Sequence, residues 1–180
     1  MGFIDYFYLF YCNKLVFNKG GYLIMIIKKL KLYIYKIYIY INKFYYKIFL
    51  FGTICHPNVK VYGRIKIFGK RSNIIIGDNC SLNEGVILSA NEKIILGRNT
   101  TLSSNVMLHT GYLTIDKIPR KHIYKPIKLG NNVWIASGVV ISAGITIGDN
   151  VVVGANSVVT CDLDANYFYA GLPAKKIKRI

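Results

Sequence analysis

The sequence predicts an all-β solenoid, a parallel β-helix made of short repeats, over most of its length. Aliphatic residues return at every sixth position, and turn-forming residues recur with the same period. No α-helix has this period, whereas a triangular solenoid has it when each side of a coil is a short strand. Three such sides make a coil of about 18 residues, and the repeat accounts for roughly five coils.

The aliphatic repeat runs in two phases. The first phase comprises Ile76, Leu82 and Leu88 and, after a slip of two residues, Leu96, Leu102 and Leu108, with Val61 and Ile67 extending it backwards. The second phase has six consecutive members, which are Leu129, Ile135, Ile141, Ile147, Val153 and Val159. A small or apolar residue stands two positions before most of them, as at Ile74, Val86, Val106, Val133, Val139, Ile145 and Val151. We expect both sets to line the inside of the coils.

The turn-forming residues also support a parallel β-helix. Gly, Asn, Asp and Ser tolerate positive φ or bond their own backbone, so they suit the corners of a coil. They recur as IGDN at Ile76–Asn79, LGRN at Leu96–Asn99, LGNN at Leu129–Asn132, IGDN at Ile147–Asn150 and VGAN at Val153–Asn156.

Residues 1–52 lack the repeat and are rich in Tyr, Phe, Ile and Lys. We expect a helix here, because apolar residues follow helical spacing at Ile34, Ile37, Ile41, Phe44 and Ile48. The alternating stretch YIYKIYIYI leaves a strand open as the alternative. A basic amphipathic helix can lie on an anionic membrane surface, or it can pack on its own core or a partner subunit. Met25 is a second candidate start, which would leave residues 1–24 untranslated.

The amino-acid composition is strongly basic, with 24 Lys and Arg against 8 Asp and Glu. The basic residues cluster towards the two ends, and no Lys or Arg lies between Lys128 and Lys175. This distribution fits separate anionic contacts better than one track along a nucleic acid, so we expect no nucleic-acid partner. Four unpaired cysteines indicate free thiols in a reducing cytoplasm, and no apolar run reaches the length of a membrane span.

The C-terminal half carries a family resemblance. The stretches LGNNVWIASGVVISAGITIGDNVVVGANSVVT (Leu129–Thr160) and YAGLPAKKIKRI (Tyr169–Ile180) resemble the hexapeptide-repeat acyltransferases of the galactoside, maltose and polysaccharide O-acetyltransferase type. The resemblance covers residues 57–180 and implies a left-handed parallel β-helix, a homotrimer, and acetyl-CoA bound between subunits. We therefore expect a β-helix domain at 53–165 with an excursion loop at 109–128, followed by a basic tail at 166–180.

Roles for single residues also come from the resemblance. It implies that Trp134 and Ser137 border the CoA arm and that Ala155 and Thr160 contact its pantetheine and nucleotide end. Lys175 and Lys178 match basic positions near the CoA phosphates, and Asn83 matches an Asn that positions the sugar acceptor. Cys161 replaces a residue that is usually Lys, so one cofactor contact is in doubt.

Counting the sides in threes gives independent, partial support. We expect one side of successive coils to carry Leu82, Leu102, Ile135 and Val153. The residues that follow them in sequence then form two rows of mostly small side chains, which are Asn83, Ser103, Ala136 and Gly154 and, next to these, Glu84, Ser104, Ser137 and Ala155. Such an edge suits a long, thin ligand, although tight corners alone would also demand small residues.

The catalytic base departs from the family pattern. Relatives carry a histidine within TGH or TGSH, whereas this chain reads HTGYLTID, with Tyr112 and Leu113 where the histidine is expected. Neither a leucine nor a phenol of ordinary pKa serves well as a base near pH 7. His109, expected at a corner and facing outward, is the first candidate for the base, His122, within the loop, is the second, and the absence of any base is the third alternative. His56 is interpreted as structural.

The sequence thus predicts an acetyl-CoA-dependent O-acetyltransferase that modifies a sugar hydroxyl in surface polysaccharide or lipopolysaccharide synthesis. We expect it in the cytoplasm, with a peripheral contact to the inner membrane surface. The alternatives are a catalytically impaired trimer that keeps the fold, and an acetyltransferase acting on an amino group. A metal-dependent hydratase of the γ-carbonic anhydrase type needs three zinc-binding histidines, which the spacing of the three here does not offer, so no metal is expected.

Overall fold

The computed structural model describes residues 27–37 and 50–180. The chain divides into two compact units, Met1–Asn42 and Lys43–Ile180. In the first unit, residues 27–37 form a helix, α1, so the helical interpretation is confirmed there and the strand alternative is wrong for that stretch. Ile41, Phe44 and Ile48, like Met25 and residues 1–24, lie outside the described residues.

The second unit is a left-handed parallel β-helix of about five coils, as predicted. Its three sides are sheets A, B and C, each made of short strands. Sheet A pairs, in order, β1 (Ile54–Cys55), β4 (Ile74–Ile76), β7 (Ile94–Leu96), β12 (Ile127–Leu129) and β15 (Thr146–Ile147). Sheet C pairs β17 (Val158–Val159), β14 (Val140–Ile141), β9 (Met107–His109), β6 (Ile87–Ala90) and β3 (Lys66–Gly69).

Sheet B is the longest side. It pairs, in order, β19 (Lys175–Arg179), β18 (Tyr167–Ala170), β16 (Val152–Val153), β13 (Trp134–Ile135), β8 (Thr101–Leu102), β5 (Ser81–Asn83) and β2 (Lys60–Tyr62). A 3-10 helix at Arg71–Asn73 precedes β4. The pairing between successive coils is parallel, whereas β18–β19 and the separate hairpin of β10 (Gly111–Leu113) and β11 (His122–Tyr124) are antiparallel.

The predicted core is confirmed at nearly every position. Leu82 pairs with Leu102, Leu102 with Ile135, and Ile135 with Val153, so these residues share one side of successive coils. All of them are fully buried, and so are the aliphatic residues two positions earlier, such as Val133 and Val151. Ile67 is only partly buried, because it lies in β3, the end strand of sheet C.

One corner column is built from asparagine. Asn79, Asn99, Asn132, Asn150 and Asn166 all have positive φ, between 53° and 68°. Each side-chain amide donates to the next along the column, with N···O distances of 2.8–3.0 Å. The corner residues identified in the sequence therefore also form a hydrogen-bonded ladder parallel to the helix axis.

The cysteines of the described chain are free thiols. Cys55 and Cys161 are exposed, whereas Cys80 is buried and its Sγ lies 2.9 Å from the carbonyl oxygen of Gly97. Burial raises the pKa of the Cys80 thiol, which therefore stays protonated within the coil.

Two segments differ from the sequence-based expectation. The interruption of the repeat holds the β10–β11 hairpin, and its two ends, His109 and Lys128, belong to strands β9 and β12 of the coils. The basic C-terminal segment is an ordered strand, β19, that pairs with β18 through its backbone. Within the described part of the chain, no helix has the length and apolar character needed to cross a membrane.

Candidate active site

The outer face of sheet B carries two columns of residues that point away from the core. Strand register aligns Thr101, Trp134, Val152, Phe168 and Lys178 in the first column. The second runs through Asn83, Ser103, Ala136, Gly154, Ala170 and Lys175, as the ladder bonds between these coils show. Paired residues in neighbouring strands share a face, so both columns lie on the same surface.

Trp134 provides the aromatic surface of the first column. Its side chain is 52% exposed, and its Nε1–H donates to Ser103 Oγ at 3.1 Å. This bond ties the indole to the second column and fixes the orientation of its exposed ring. The exposed ring is therefore oriented so that a ligand at this face can pack against it.

The second column is narrow because its members are small. At Gly154 a Cβ atom would lie 3.0 Å from Ala170 Cβ and 3.3 Å from Phe168 Cζ, so any side chain there would push the phenyl ring aside. The next corner residues are Ser104, Ser137 and Ala155, and no hydrogen bond within the described chain uses their backbone N–H groups. These groups form a stack of donors available to a ligand.

The C-terminal lysines divide between two faces of sheet B. Lys178 pairs with Phe168 and Lys175 with Ala170, so both continue the outer columns. Lys176 pairs with Tyr169 and faces the other way, where its Nζ lies 2.7 Å from Asp164 Oδ2 and 4.1 Å from the centre of the Tyr167 ring. The hydrogen bond to Asp164 raises the pKa of Lys176. Lys175 and Lys178, the two lysines selected by sequence, thus stand at the end of the face that carries Trp134.

Asn83 lies in the second column between Tyr62 and Ser103. It is half-buried, and its Nδ2 donates to the carbonyl oxygen of Leu102 at 2.9 Å. This bond leaves its Oδ1 facing away from the ladder as an acceptor. Ser137 and Ala155, both exposed, lie two and three coils further along the same edge.

Other predicted site residues lie elsewhere on the coil. His109 and Thr160 follow Leu108 and Val159 at the end of sheet C, and Ser142 lies between them in the same column. The hairpin leaves the coil at this same corner, between sheets C and A. In a triangular coil, that corner is the one that sheet B does not touch.

His109 is the last residue of strand β9, so it lies at the end of a side next to the corner and not in the corner itself, where the sequence analysis placed it, because the pairing of β6 with β9 includes Ser89 and His109. It is half-buried, and its Nδ1 lies 3.2 Å from Ser89 Oγ. If Nδ1–H donates to the serine, Nε2 is left unprotonated and able to accept a proton.

His122 lies directly across the hairpin from Leu113. Opposite residues in an antiparallel pair share a face, with Cβ atoms about 5 Å apart. The imidazole stacks on the ring of Tyr124, with centroids 5.9 Å apart and an interplanar angle of 6°. The Tyr124 ring in turn occupies the space beside Gly111, where a Cβ would lie 2.8 Å from it. The hairpin therefore presents an imidazole beside the position where the family resemblance expects one.

The remaining histidine serves the first coil. His56 Nδ1 lies 2.7 Å from Asp78 Oδ1, next to the Asn58 amide that also donates to this carboxylate. Within residues 27–37 and 50–180, no three His, Cys, Asp or Glu side chains are grouped so that they could hold a metal ion. The three histidines have separate partners, unlike the ligands of a zinc centre.

Sequence reasoning did not identify three residues that shape this region. Ser89 contacts His109, Tyr124 stacks on His122, and Phe168 lies over Gly154. The strand register brings each of them to its partner, and Ser89 alone could have been found from the repeat, one coil before His109.

Comparison with known proteins gives a consistent result. The family model described as bacterial transferase hexapeptide (six repeats) matches residues 126–161. Galactoside O-acetyltransferase of Escherichia coli (strain K12) is 40% identical over 116 residues, which are 63% of this chain and 57% of that protein. The chain therefore spans little more than half the length of this curated relative.

Solved structures extend the likeness. A maltose O-acetyltransferase from Clostridium difficile 630 is 41% identical with a TM-score of 0.68, over 73% of this chain and 71% of that one. A hexapeptide-repeat acetyltransferase from Vibrio cholerae, solved in complex with acetyl coenzyme A, is 30% identical with a TM-score of 0.67, over 72% of each chain. By its repeat, its fold and these relatives, the chain belongs to the hexapeptide-repeat acyltransferase family.

Proposed function

We propose that this chain is an acetyl-CoA-dependent O-acetyltransferase that transfers an acetyl group to a sugar hydroxyl. The observation that carries the proposal is the division of the site: an exposed indole and two lysines line one face, and histidines stand at the opposite corner. Similar proteins support it, because their names include galactoside and maltose O-acetyltransferases and one was solved with acetyl coenzyme A.

The division of the site favours a homotrimer. Sheet B and the corner between sheets C and A lie on opposite parts of one coil, so they cannot approach one ligand within a single chain. Packing of identical triangular coils around a three-fold axis brings the face of one chain against the corner of its neighbour. The acetyl donor would then lie in the groove between two subunits.

Sheet B offers a fitting surface for the donor. Lys178 stands three strand steps from Trp134, a distance of roughly 14 Å, which suits a long ligand with phosphates at one end. Lys175 and Lys178 would bind the phosphates, Trp134 would pack against the arm, and the N–H groups of Ser104, Ser137 and Ala155 would donate to its amide carbonyls. Thr160, on sheet C, would contact the donor from the neighbouring subunit.

The reaction needs a base but no covalent enzyme intermediate. The sugar hydroxyl oxygen attacks the thioester carbonyl carbon, the C–S bond breaks, and the CoA thiolate leaves while a base takes the hydroxyl proton. We assign this base to His122, because it lies across the hairpin from Leu113 and Tyr124 holds its ring. His109, oriented by Ser89, is the second candidate.

Asn83 is the residue that we propose contacts the acceptor sugar. Asn83, whose Nδ2 is held by Leu102, would accept a hydrogen bond from a sugar hydroxyl through its Oδ1. We propose a role in surface polysaccharide or lipopolysaccharide synthesis in the cytoplasm, where the free thiols Cys55 and Cys161 would stay reduced. A peripheral contact of the N-terminal segment with the inner membrane surface would place the enzyme beside lipid-linked acceptors.

The test is transfer of labelled acetyl groups to a panel of sugars, with amino sugars included to expose an amino-group acceptor. His122→Ala should lower kcat by about 10²–10⁴-fold, the usual contribution of a general base. Leu113→His in the same background should restore much of the rate, because it returns an imidazole to the opposite strand. His109→Ala is the matched control and should retain far more activity than His122→Ala.

Three outcomes would count against parts of the proposal. Full activity in His122→Ala with loss in His109→Ala moves the base to His109. Binding of acetyl-CoA without transfer to any acceptor identifies a catalytically impaired trimer. Transfer only to amino sugars replaces the hydroxyl acceptor with an amine.

A further inference from the structure

Helix α1 carries an apolar stripe along one side. At about 100° per residue, Ile27, Leu30, Tyr33, Ile34 and Ile37 fall within an arc of about 120°. Leu30 is 58% exposed, Tyr33 65% and Ile34 48%. A surface helix of a globular protein buries such a stripe against its own core, so this one is available to a partner.

The remaining surface of the helix carries lysines together with the exposed Leu32 and Tyr35. Lys28, Lys29 and Lys36 are exposed and lie outside the apolar arc. The charge is one-sided over a much longer stretch, because the sequence between Asp5 and Asp78 has 13 Lys and Arg and no Asp or Glu. An acidic surface is therefore the complementary partner for this part of the chain.

A second copy of the helix is a poorer occupant. Apposed apolar stripes would place flanking lysines such as Lys29 along the seam between the two helices, and the sequence between Asp5 and Asp78 offers no carboxylate to pair with them. A bilayer with anionic headgroups satisfies both features, because it takes the apolar stripe into its interface and attracts the lysines beside it.

We propose that α1 docks on an anionic membrane surface through the stripe of Ile27, Leu30, Tyr33, Ile34 and Ile37. The helix lies parallel to the bilayer, with its apolar side chains at the headgroup boundary and Lys29 and Lys36, about 100° and 120° around the helix from the centre of the stripe, reaching towards the phosphates. Lys28 lies on the opposite side and faces water. Tyr33 presents a ring and a hydroxyl, which suits the interface between apolar and polar layers. The docking does not depend on acetyl transfer.

Two leucines of nearly equal exposure make a matched test. Leu30 is 58% exposed within the stripe, whereas Leu32 is 56% exposed and lies about 160° around the helix from it. The full chain and the variants Leu30→Ser and Leu32→Ser are sedimented with vesicles of phosphatidylcholine alone and of phosphatidylcholine mixed with phosphatidylglycerol. Circular dichroism and light scattering monitor folding and oligomeric mass.

The full chain should bind the mixed vesicles and not phosphatidylcholine alone, and added salt should weaken the binding. Leu30→Ser should weaken partitioning by roughly tenfold, since a leucine no longer leaves water, and Leu32→Ser should change it by less than about twofold. Lys29→Gln should weaken it about fivefold, the usual share of one lysine near an anionic surface.

Equal losses in Leu30→Ser and Leu32→Ser, with both variants folded, would overturn the proposal because the stripe would have no special role. Absence of binding to mixed vesicles would do the same. A fall in oligomeric mass in Leu30→Ser alone, with vesicle binding unchanged, would assign the stripe to a second copy of the chain. Vesicle binding by a chain without transferase activity would refute the proposed function and leave the docking intact.

Discussion

At the scale of single residues, the asparagine ladder shows how one residue type meets two demands. A corner of the coil needs a positive φ, which asparagine tolerates better than other non-glycine residues. The same side chains bond to one another from Asn79 to Asn166. Glycine would meet the first demand and not the second, which explains why the column is asparagine throughout.

Asn132 allows these two contributions to be measured separately. It has φ of 56°, accepts from Asn99 Nδ2 at 3.0 Å and donates to Asn150 Oδ1 at 3.0 Å. Asn132→Ala loses both bonds and strains the backbone, so we expect a loss of about 2–3 kcal/mol in the free energy of unfolding. Asn132→Gly loses the bonds alone and should cost about 1 kcal/mol less, as measured by urea denaturation. Equal losses in the two variants would show that the positive φ carries no cost.

The sequence predicts the corners but not the ladder. Positive φ is a local property of IGDN and LGNN, so the repeat alone identifies Asn79 and Asn132 as corner residues. The ladder depends on which coils lie next to each other, and 33 residues separate Asn99 from Asn132 because the hairpin intervenes. The turn sequences themselves do not indicate how many residues separate one corner asparagine from the next in the column.

At the scale of elements, the β10–β11 hairpin is attached at a buried threonine. The Thr110 side chain is fully buried, and its Oγ1 donates to the Ser89 carbonyl at 2.6 Å and accepts from the Glu92 N–H at 3.1 Å. Its carbonyl accepts from Lys125 N–H at 2.8 Å on the returning strand. Both ends of the excursion are thereby tied to one residue of the coil.

Removal of this hydroxyl should loosen the hairpin. Thr110→Val keeps the side-chain volume but leaves the Ser89 carbonyl and Glu92 N–H without that partner, so we expect a loss of about 1–3 kcal/mol. Trypsin should then cleave the hairpin tip, which carries Lys117, Arg120 and Lys121, faster than in the native chain. Thr110→Ser retains the hydroxyl and is the control. Equal cleavage of the two variants would show that the hydroxyl does not hold the hairpin.

Two elements escaped the sequence analysis for different physical reasons. The run Lys175–Arg179 has the composition of a solvated tail, but a backbone ladder to β18 forms whatever the side chains are. The hairpin has no six-residue repeat, and its pairing of Leu113 with His122 continues from the bond between Lys125 N–H and the Thr110 carbonyl at its base. The candidate base, His122, therefore lies on the strand opposite Leu113, and a position-by-position alignment with relatives does not identify it.

At the scale of the whole molecule, the β-helix is a one-dimensional stack in which each coil contacts its neighbours. The stacking of Leu82, Leu102, Ile135 and Val153 follows from counting sides in threes, so the sequence predicts the core almost completely. The site follows less directly, because its halves lie on opposite parts of the coil and assemble only between chains in the proposed trimer. Periodicity specifies a coil and says little about the surfaces that coils present to one another.

This architecture makes the cost of a core truncation depend on its position along the stack. Leu102 is fully buried between Leu82 and Ile135, whereas Leu163 is 3% exposed in the last coil and pairs with Ile147 alone. Leu102→Ala should lower the free energy of unfolding by about 2–5 kcal/mol, because its cavity lies between two intact coils that cannot collapse into it. Leu163→Ala should cost at least about 1 kcal/mol less, since an end coil adjusts more freely. Urea denaturation at one protein concentration gives both values, and equal losses would mean that the final coil is held as rigidly as the middle of the stack.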